Sequence, residues 1–173
     1  MNIIWRPFQK PVQLEMAEVH LIAADLSKNA ELSRYETYLS FEEKNRAERF
    51  KTAKLRSNYI MARGILREIL GNCLAANPIE INFRYQELGK PELADYPYLQ
   101  FNLSHSDSIA LYGLSLNHAI GVDIEKTRSC GELELAERFF SSSEYQSLLK
   151  LETTQRQKAF FEIWAKKKAY IKA

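Results

Sequence analysis

Seven residues, Ala119-Ile120-Gly121-Val122-Asp123-Ile124-Glu125, constrain this chain more than any other stretch. The run reads as a buried β-strand that carries two carboxylates. Side chains alternate faces along a strand, so Asp123 and Glu125 point the same way, while Ile120, Val122 and Ile124 fill the other face. The two acidic Cα atoms fall roughly 7 Å apart, close enough for both side chains to converge on one ion. Gly121 lies on the carboxylate side and leaves room there for a ligand. Unpaired carboxylates on a buried strand are costly, and a bound cation offsets that cost. The pattern points to an oxygen-rich Mg²⁺ site for a phosphate substrate, against the plainer alternative of two solvated carboxylates on an edge strand.

A chain of 173 residues, 46% of them hydrophobic, suits one large domain or two small ones packed together. No apolar run approaches the roughly 18 residues of a membrane span, and Met1 to Pro7 lacks a signal-peptide layout. Cys73 and Cys130 are far apart and belong to no ligand motif, which fits reduced thiols in a cytoplasmic protein. The net charge of +2 hides an asymmetry. Residues 41–70 hold eight basic side chains (Lys44, Arg46, Arg49, Lys51, Lys54, Arg56, Arg63, Arg67) against four acidic ones (Glu42, Glu43, Glu48, Glu68), a local +4. Such a face suits a nucleotide-like phosphate, an acidic protein or RNA, and competes with the reading of a solvated helix face. An RNA-binding module lacks support, since no aromatic stacking pattern or RNA motif accompanies the charge.

Along the chain, Glu18 to Ala23 reads as a strand with Val19, Leu21 and Ala23 on one face. Ser40 with Glu43 forms a capping box ahead of a charged helix, and a second helix covers Lys54 to Leu70 with Gly71 as its stop. Ile79, Ile81, Phe83 and Tyr85 alternate as a half-buried strand, Gly89-Lys90-Pro91 is a turn, and Leu99 to Leu103 is a short strand. Ile109 to Ser115 and Ala119 to Glu125 are joined by Leu116-Asn117-His118, which reads as a hairpin. Ser141 with Glu144 and Thr154 with Gln157 are further capping boxes, the second opening a helix that carries Phe160, Trp164 and Ile171 on one stripe.

Three further clusters carry chemistry. Asn102-Leu103-Ser104-His105-Ser106, at a strand end, offers hydroxyls and an imidazole to phosphate oxygens, or is an ordinary polar turn. Trp164, Lys168 and Lys172 recur every fourth residue, so two ammoniums sit one turn apart; an anion across them turns their mutual repulsion into binding, and a basic solvated stripe is the alternative. Glu144 has helix capping as a sufficient role of its own.

Taken in order, Phe101-Asn102-Leu103-Ser104-His105-Ser106, Ile120-Gly121-Val122-Asp123-Ile124-Glu125-Lys126, Arg138-Phe139-Phe140-Ser141, Glu144 and Trp164 to Ala173 resemble the 4′-phosphopantetheinyl transferases of the larger, two-lobed, surfactin-synthetase-activator type. Gly89-Lys90-Pro91 and the basic segment after Ser40 fit as well. The resemblance implies an α+β fold of two similar α/β lobes, residues 1–116 and a partial 117–173, with coenzyme A in the cleft between them. It implies a cytoplasmic enzyme that moves the 4′-phosphopantetheine arm of coenzyme A to a serine of an acyl, peptidyl or aryl carrier protein, in fatty acid, polyketide or nonribosomal peptide biosynthesis. Asp123 and Glu125 would hold Mg²⁺, with Mn²⁺ as the alternative ion. Lys172, Ser104 and His105 would meet the coenzyme A phosphates, Lys90 the adenine end, and Arg46 and Arg56 the 3′-phosphate. Glu144 would join Asp123, Glu125 and Lys172 in catalysis. Neither nucleic acid nor membrane is an implied partner, and the complete protein is implied to be a monomer.

Two departures from the family pattern stand out. The pattern is Trp-x-x-Lys-Glu-Ala-x-x-Lys, and Lys168 occupies its Glu position. An ammonium there repels Mg²⁺ but can bind pyrophosphate as a point charge, so the expectation is retained coenzyme A binding with weak transfer, or a non-catalytic remnant that binds coenzyme A or a carrier protein. Family members also continue past this helix, so the second lobe is expected to be incomplete, with an exposed Phe160/Trp164/Ile171 stripe and self-association.

Overall fold

The computed structural model describes residues 12–87 and 89–173. Its architecture is mixed α/β. Strand β1 (Val19–Asp25) is followed by helices α1 (Leu32–Tyr38), α2 (Phe41–Glu48) and α3 (Ala53–Leu74), strands β2 (Phe83–Tyr85), β3 (Pro91–Leu93), β4 (Leu99–Ser106) and β5 (Ile109–Leu116), and helices α4 (Glu132–Phe139), α5 (Ser142–Leu149) and α6 (Thr153–Lys172). β1, β5 and β4 form an antiparallel sheet in that order, and β2 pairs with β3.

The register of β4 against β5 sorts the two faces of the sheet. Phe101 lies opposite Leu114, and Leu103 opposite Tyr112. These side chains face α3, where the Tyr112 hydroxyl donates to the Ala62 carbonyl at 3.0 Å. Ile60, Leu66, Ile69 and Leu70 of α3 complete this core. The alternate residues Asn102, Ser104 and Gly113 face the other way, because the period of a strand is two. A second core unites α4, α5 and α6 through Ala136, Phe140, Leu148, Phe160 and Phe161, with the rings of Phe140, Phe160 and Trp164 in mutual contact.

Several local expectations hold. Two of the three expected capping boxes form: the side chains of Ser40 and Ser141 accept from the N–H groups of Glu43 and Glu144, whose carboxylates return to the cap N–H. The Gly89 turn forms with φ of 81°, a left-handed conformation that favours glycine, and Gly89 N–H donates to Gln86 O at 2.8 Å. Leu88 and residues 1–11 lie outside the described residues, and with them the expectation for Met1 to Pro7.

Others are corrected. On β1 it is Ile22 and Ala24 that pack on the core, while Val19 and Ala23 are exposed. α3 runs through Gly71 and stops at left-handed Ala75; Gly71 is glycine because a Cβ there would press on the Ala76 carbonyl oxygen at 2.8 Å. Residues 79–85 divide into a 3₁₀ turn and the short β2. α6 starts after Glu152, which makes no side-chain cap, so the Thr154 box does not form. Helix α4 went unread because it starts after left-handed Gly131 without a capping side chain. Phe160 is buried and Trp164 is half-buried, so the expected apolar stripe reduces to exposed Tyr170 and Ile171.

The largest correction concerns the opening run. Residues 119–126 are extended but join no ladder among the described residues, and β5 turns back on β4 through Asp107 and Ser108 rather than on this run. The segment crosses the sheet face opposite α3, with Ile120 and Val122 seated over Gly113. A Cβ on Gly113 would collide with both of their side chains, which is why that position is bare.

Candidate active site

Side chains, not a backbone ladder, hold this extended segment. Val122 N–H donates to Asn102 Oδ1 at 2.9 Å, Ile124 N–H to Ser104 Oγ at 3.3 Å, and Lys126 N–H to Ser106 Oγ at 2.9 Å. Donors and acceptors both recur every second residue, so two extended chains with the same repeat keep step. The Asn102-x-Ser104-x-Ser106 cluster therefore lies within β4, not in a loop after it, and its first task is to stitch down the acidic segment.

The stitched segment delivers Asp123 and Glu125 to the C-terminal turns of α6. Lys172 Nζ donates to Asp123 Oδ1 at 2.5 Å, to Ser104 Oγ at 3.0 Å and to the Val122 carbonyl at 3.2 Å. The Ser104 hydroxyl donates to Asp123 Oδ1 at 3.0 Å. Lys168 Nζ lies 2.5 Å from Glu125 Oε1 and 3.4 Å from Asp123 Oδ1. Burial pulls the Lys168 ammonium toward its neutral form, but the Glu125 hydrogen bond and the two carboxylate charges outweigh it, and its pKa is raised.

The close approach of α6 depends on Gly121. A Cβ there would run into the Ala169 carbonyl oxygen and lie 2.6 Å from the Ala173 nitrogen. The space expected for a ligand at Gly121 is filled by helix backbone. Lys90 Nζ donates to the Ile120 and Ala173 carbonyls at 3.2 and 2.7 Å, tying segment to helix end. Burial lowers its pKa.

The other predicted site residues scatter. His105 faces the α3 side of the sheet, opposite Ser104, because adjacent strand residues alternate. Arg56 pairs with Glu48 at 2.6 Å and lines a cleft of about 630 Å³ with Lys54, Asn58, Asp107 and Ser108. A smaller cavity of about 280 Å³, lined by Ser106, Asp107, Ser108, Ile124, Glu125 and Lys126, shares Asp107 and Ser108 with it. Arg46 lies in a different cleft, of about 650 Å³, with its guanidinium over the Tyr59 ring. Glu144 Oε2 accepts from Ser141 N–H at 2.7 Å and Lys167 Nζ at 2.8 Å. The Lys167 bond first, then the Ser141 contacts, hold its pKa down at about 2. Arg63 and Arg67 face inward, sharing buried Glu43 at 2.5 and 2.7 Å, and Glu68 is buried with them, so the excess of basic charge in 41–70 rests on Lys44, Arg46, Arg49, Lys51, Lys54 and Arg56.

One residue of the site went unread in the sequence. Asp107 accepts from both Lys54 at 3.1 Å and Lys126 at 2.8 Å and lines both neighbouring cavities. Its signal was only a Ser-Asp-Ser turn between two strands.

The site suits a divalent metal poorly. Two carboxylates and two ammoniums cancel, whereas Mg²⁺ wants six oxygens and net negative charge around it. At 4 Å and an effective dielectric of about 20, each pair of unit charges is worth roughly 4 kcal/mol, and a divalent ion beside Lys168 doubles the repulsion. Asp123 Oδ2 is buried and receives no hydrogen bond from the described residues, the one feature that favours an added cation. Against it, no group of three or more His, Cys, Asp or Glu side chains among the described residues is placed to hold a metal.

Comparison with known proteins places this geometry. Residues 119–173 match the model of the 4′-phosphopantetheinyl transferase superfamily, and residues 27–113 match that of the 4′-phosphopantetheinyl transferase N-terminal region. The 4′-phosphopantetheinyl transferase HetI of Nostoc sp. is 40% identical over 174 residues, covering 98% of this chain and 73% of HetI. This chain belongs to the 4′-phosphopantetheinyl transferase superfamily. The transferase Sfp of Bacillus subtilis is 31% identical over 82% of the chain, and psf-1 of Bacillus pumilus 32% over 86%. The chain spans only 62% and 63% of these last two. No helix among the described residues is long and apolar enough to cross a membrane, and both cysteines are free thiols.

Proposed function

We propose that this protein binds coenzyme A and transfers its 4′-phosphopantetheine arm to a serine of an acyl, peptidyl or aryl carrier protein. The observation that carries this reading is the placement of Asp123 and Glu125 against Lys168 and Lys172, on a segment matched to the superfamily. Two neighbouring cavities, one lined by Arg56 and Lys54 and the other by Glu125, meet the same Asp107 and Ser108, and together they suit a nucleotide with a long pyrophosphate-linked arm. In the reaction, the serine oxygen forms a bond to the phosphorus bearing the pantetheine arm. The bond from that phosphorus to adenosine 3′,5′-bisphosphate breaks. Such a transfer asks the protein mainly for positioning and charge neutralisation. The serine proton must also be accepted. Asp123 is enclosed, with none of its side chain exposed, while Glu125 keeps 22% exposure on the cavity wall, so Glu125 is the carboxylate that can take that proton. No step is assigned to Mg²⁺ or Mn²⁺, because the residues present do not favour either ion.

The ion pair from Lys168 to Glu125 favours a second reading, a protein that binds coenzyme A without transferring it. Mass spectrometry of an acyl carrier protein incubated with coenzyme A and this chain separates the two. Transfer adds the phosphopantetheine mass at one serine. An unmodified carrier protein, with coenzyme A binding intact by calorimetry, would refute transfer and leave the binding protein.

A further inference from the structure

The two lysines of the site are not equivalent, and their difference carries an inference that rests on the coenzyme A reading for its ligand. An ammonium has three donors. Lys172 commits all three, to Asp123 Oδ1, Ser104 Oγ and the Val122 carbonyl, and so bolts α6 to the stitched segment. Lys168 contacts two acceptors among the described residues, Glu125 Oε1 and Asp123 Oδ1, and its side chain is 40% exposed. It stands between the carboxylates, neutralises their mutual repulsion and has a donor left for the solvent side.

We propose that Lys168 is the built-in cation of this site: it holds Asp123 and Glu125 together in the place of a divalent metal, and directs its remaining N–H to a pyrophosphate oxygen of coenzyme A. Binding of that pyrophosphate is then independent of Mg²⁺. An ammonium is a compact point charge that suits an isolated phosphate oxygen, and the charge-assisted bond it makes is among the stronger hydrogen bonds.

Two measurements on the full chain test this separately. The first uses no nucleotide: Mn²⁺ is titrated and free ion is read by electron paramagnetic resonance. The unsubstituted chain should leave millimolar Mn²⁺ free, and Lys168→Glu should acquire a bound ion. Submillimolar Mn²⁺ binding by the unsubstituted chain would overturn the proposal. The second is calorimetric titration with coenzyme A, in EDTA and in MgCl₂. The dissociation constant should agree within about twofold between buffers, and Lys168→Met should weaken it about tenfold in both. Coenzyme A binding that needs Mg²⁺ would overturn the proposal. Should Lys168→Met fail to fold, the two-buffer comparison of the unsubstituted chain still decides. Absence of coenzyme A binding in both buffers would instead sink the coenzyme A reading, and the Mn²⁺ titration would still decide whether Lys168 excludes a metal.

Discussion

The three side-chain stitches between β4 and the acidic segment should differ in strength along their length. Asn102 and Val122 are 7% and 6% exposed, so Asn102→Ala leaves a buried N–H without its acceptor. A buried donor stripped of its partner costs about 1–3 kcal/mol. At the other end, Ser106 is half-buried and Lys126 is exposed, so water replaces the lost bond. Ser106→Ala should cost no more than about 0.5 kcal/mol, as for ordinary surface substitutions. Against a whole-domain stability of about 5–15 kcal/mol, the first loss is large and the second is close to noise. Urea unfolding reads both. With a slope of about 2 kcal/mol per molar, Asn102→Ala should lower the midpoint by about 0.5–1.5 M at unchanged slope, and Ser106→Ala by less than about 0.3 M. Hydrogen exchange at the Val122 amide should speed up in Asn102→Ala without a matching change at amides of α4 and α5, whose core is separate. Equal midpoint shifts for the two variants, or an unprotected Val122 amide in the unsubstituted chain, would refute the idea that side chains replace the missing ladder.

Two other outcomes follow from the charges. Glu43→Gln breaks a buried pairing with Arg63 and Arg67 and should cost about 3–5 kcal/mol in urea unfolding, whereas Ser40→Ala, which removes the helix cap and an exposed hydrogen bond to Glu42, should cost about 1 kcal/mol. Glu144 has its pKa held at about 2 in the folded chain, below its unfolded value, so its pairing stabilises fully above about pH 4.5 and is lost as the pH falls toward 2. The melting-temperature gap between the unsubstituted chain and Glu144→Gln should therefore be constant near neutrality and close across that acidic window; a gap that persists at pH 2 would contradict the assigned pairing.

What the sequence disclosed, and what it withheld, divides along a physical line. Period-two and capping signals are local, and they located β4, β5 and the caps at Ser40 and Ser141. The facing of Asp123 and Glu125 is local too, and both carboxylates do meet the same ammonium. The status of residues 119–126 was not local. A hydrophobic alternation fits a strand and an extended segment equally, and only the partner decides; here the partners are Asn102, Ser104 and Ser106. Gly121 was read as open space because composition cannot reveal that Ala169 and Ala173 arrive there. The inward turn of Arg63 and Arg67 was equally hidden, since a charge count does not say which side of α3 a residue occupies.

The contact at Gly121 fixes how α6 is indexed. Helix backbone lands on segment backbone with no side chain between them, and Lys90 pins the same end. The helix is thus measured from its last turn, not its first. Residues 132–149 bury their apolar side chains against Phe160, Phe161 and Trp164 of α6, so only the loop from Lys126 to Gly131 can gain or lose length without dragging Lys168 and Lys172 off their carboxylates. Insertions between Lys126 and Gly131 should accumulate freely over evolutionary time, while the four residues from Ala169 to Lys172 admit none.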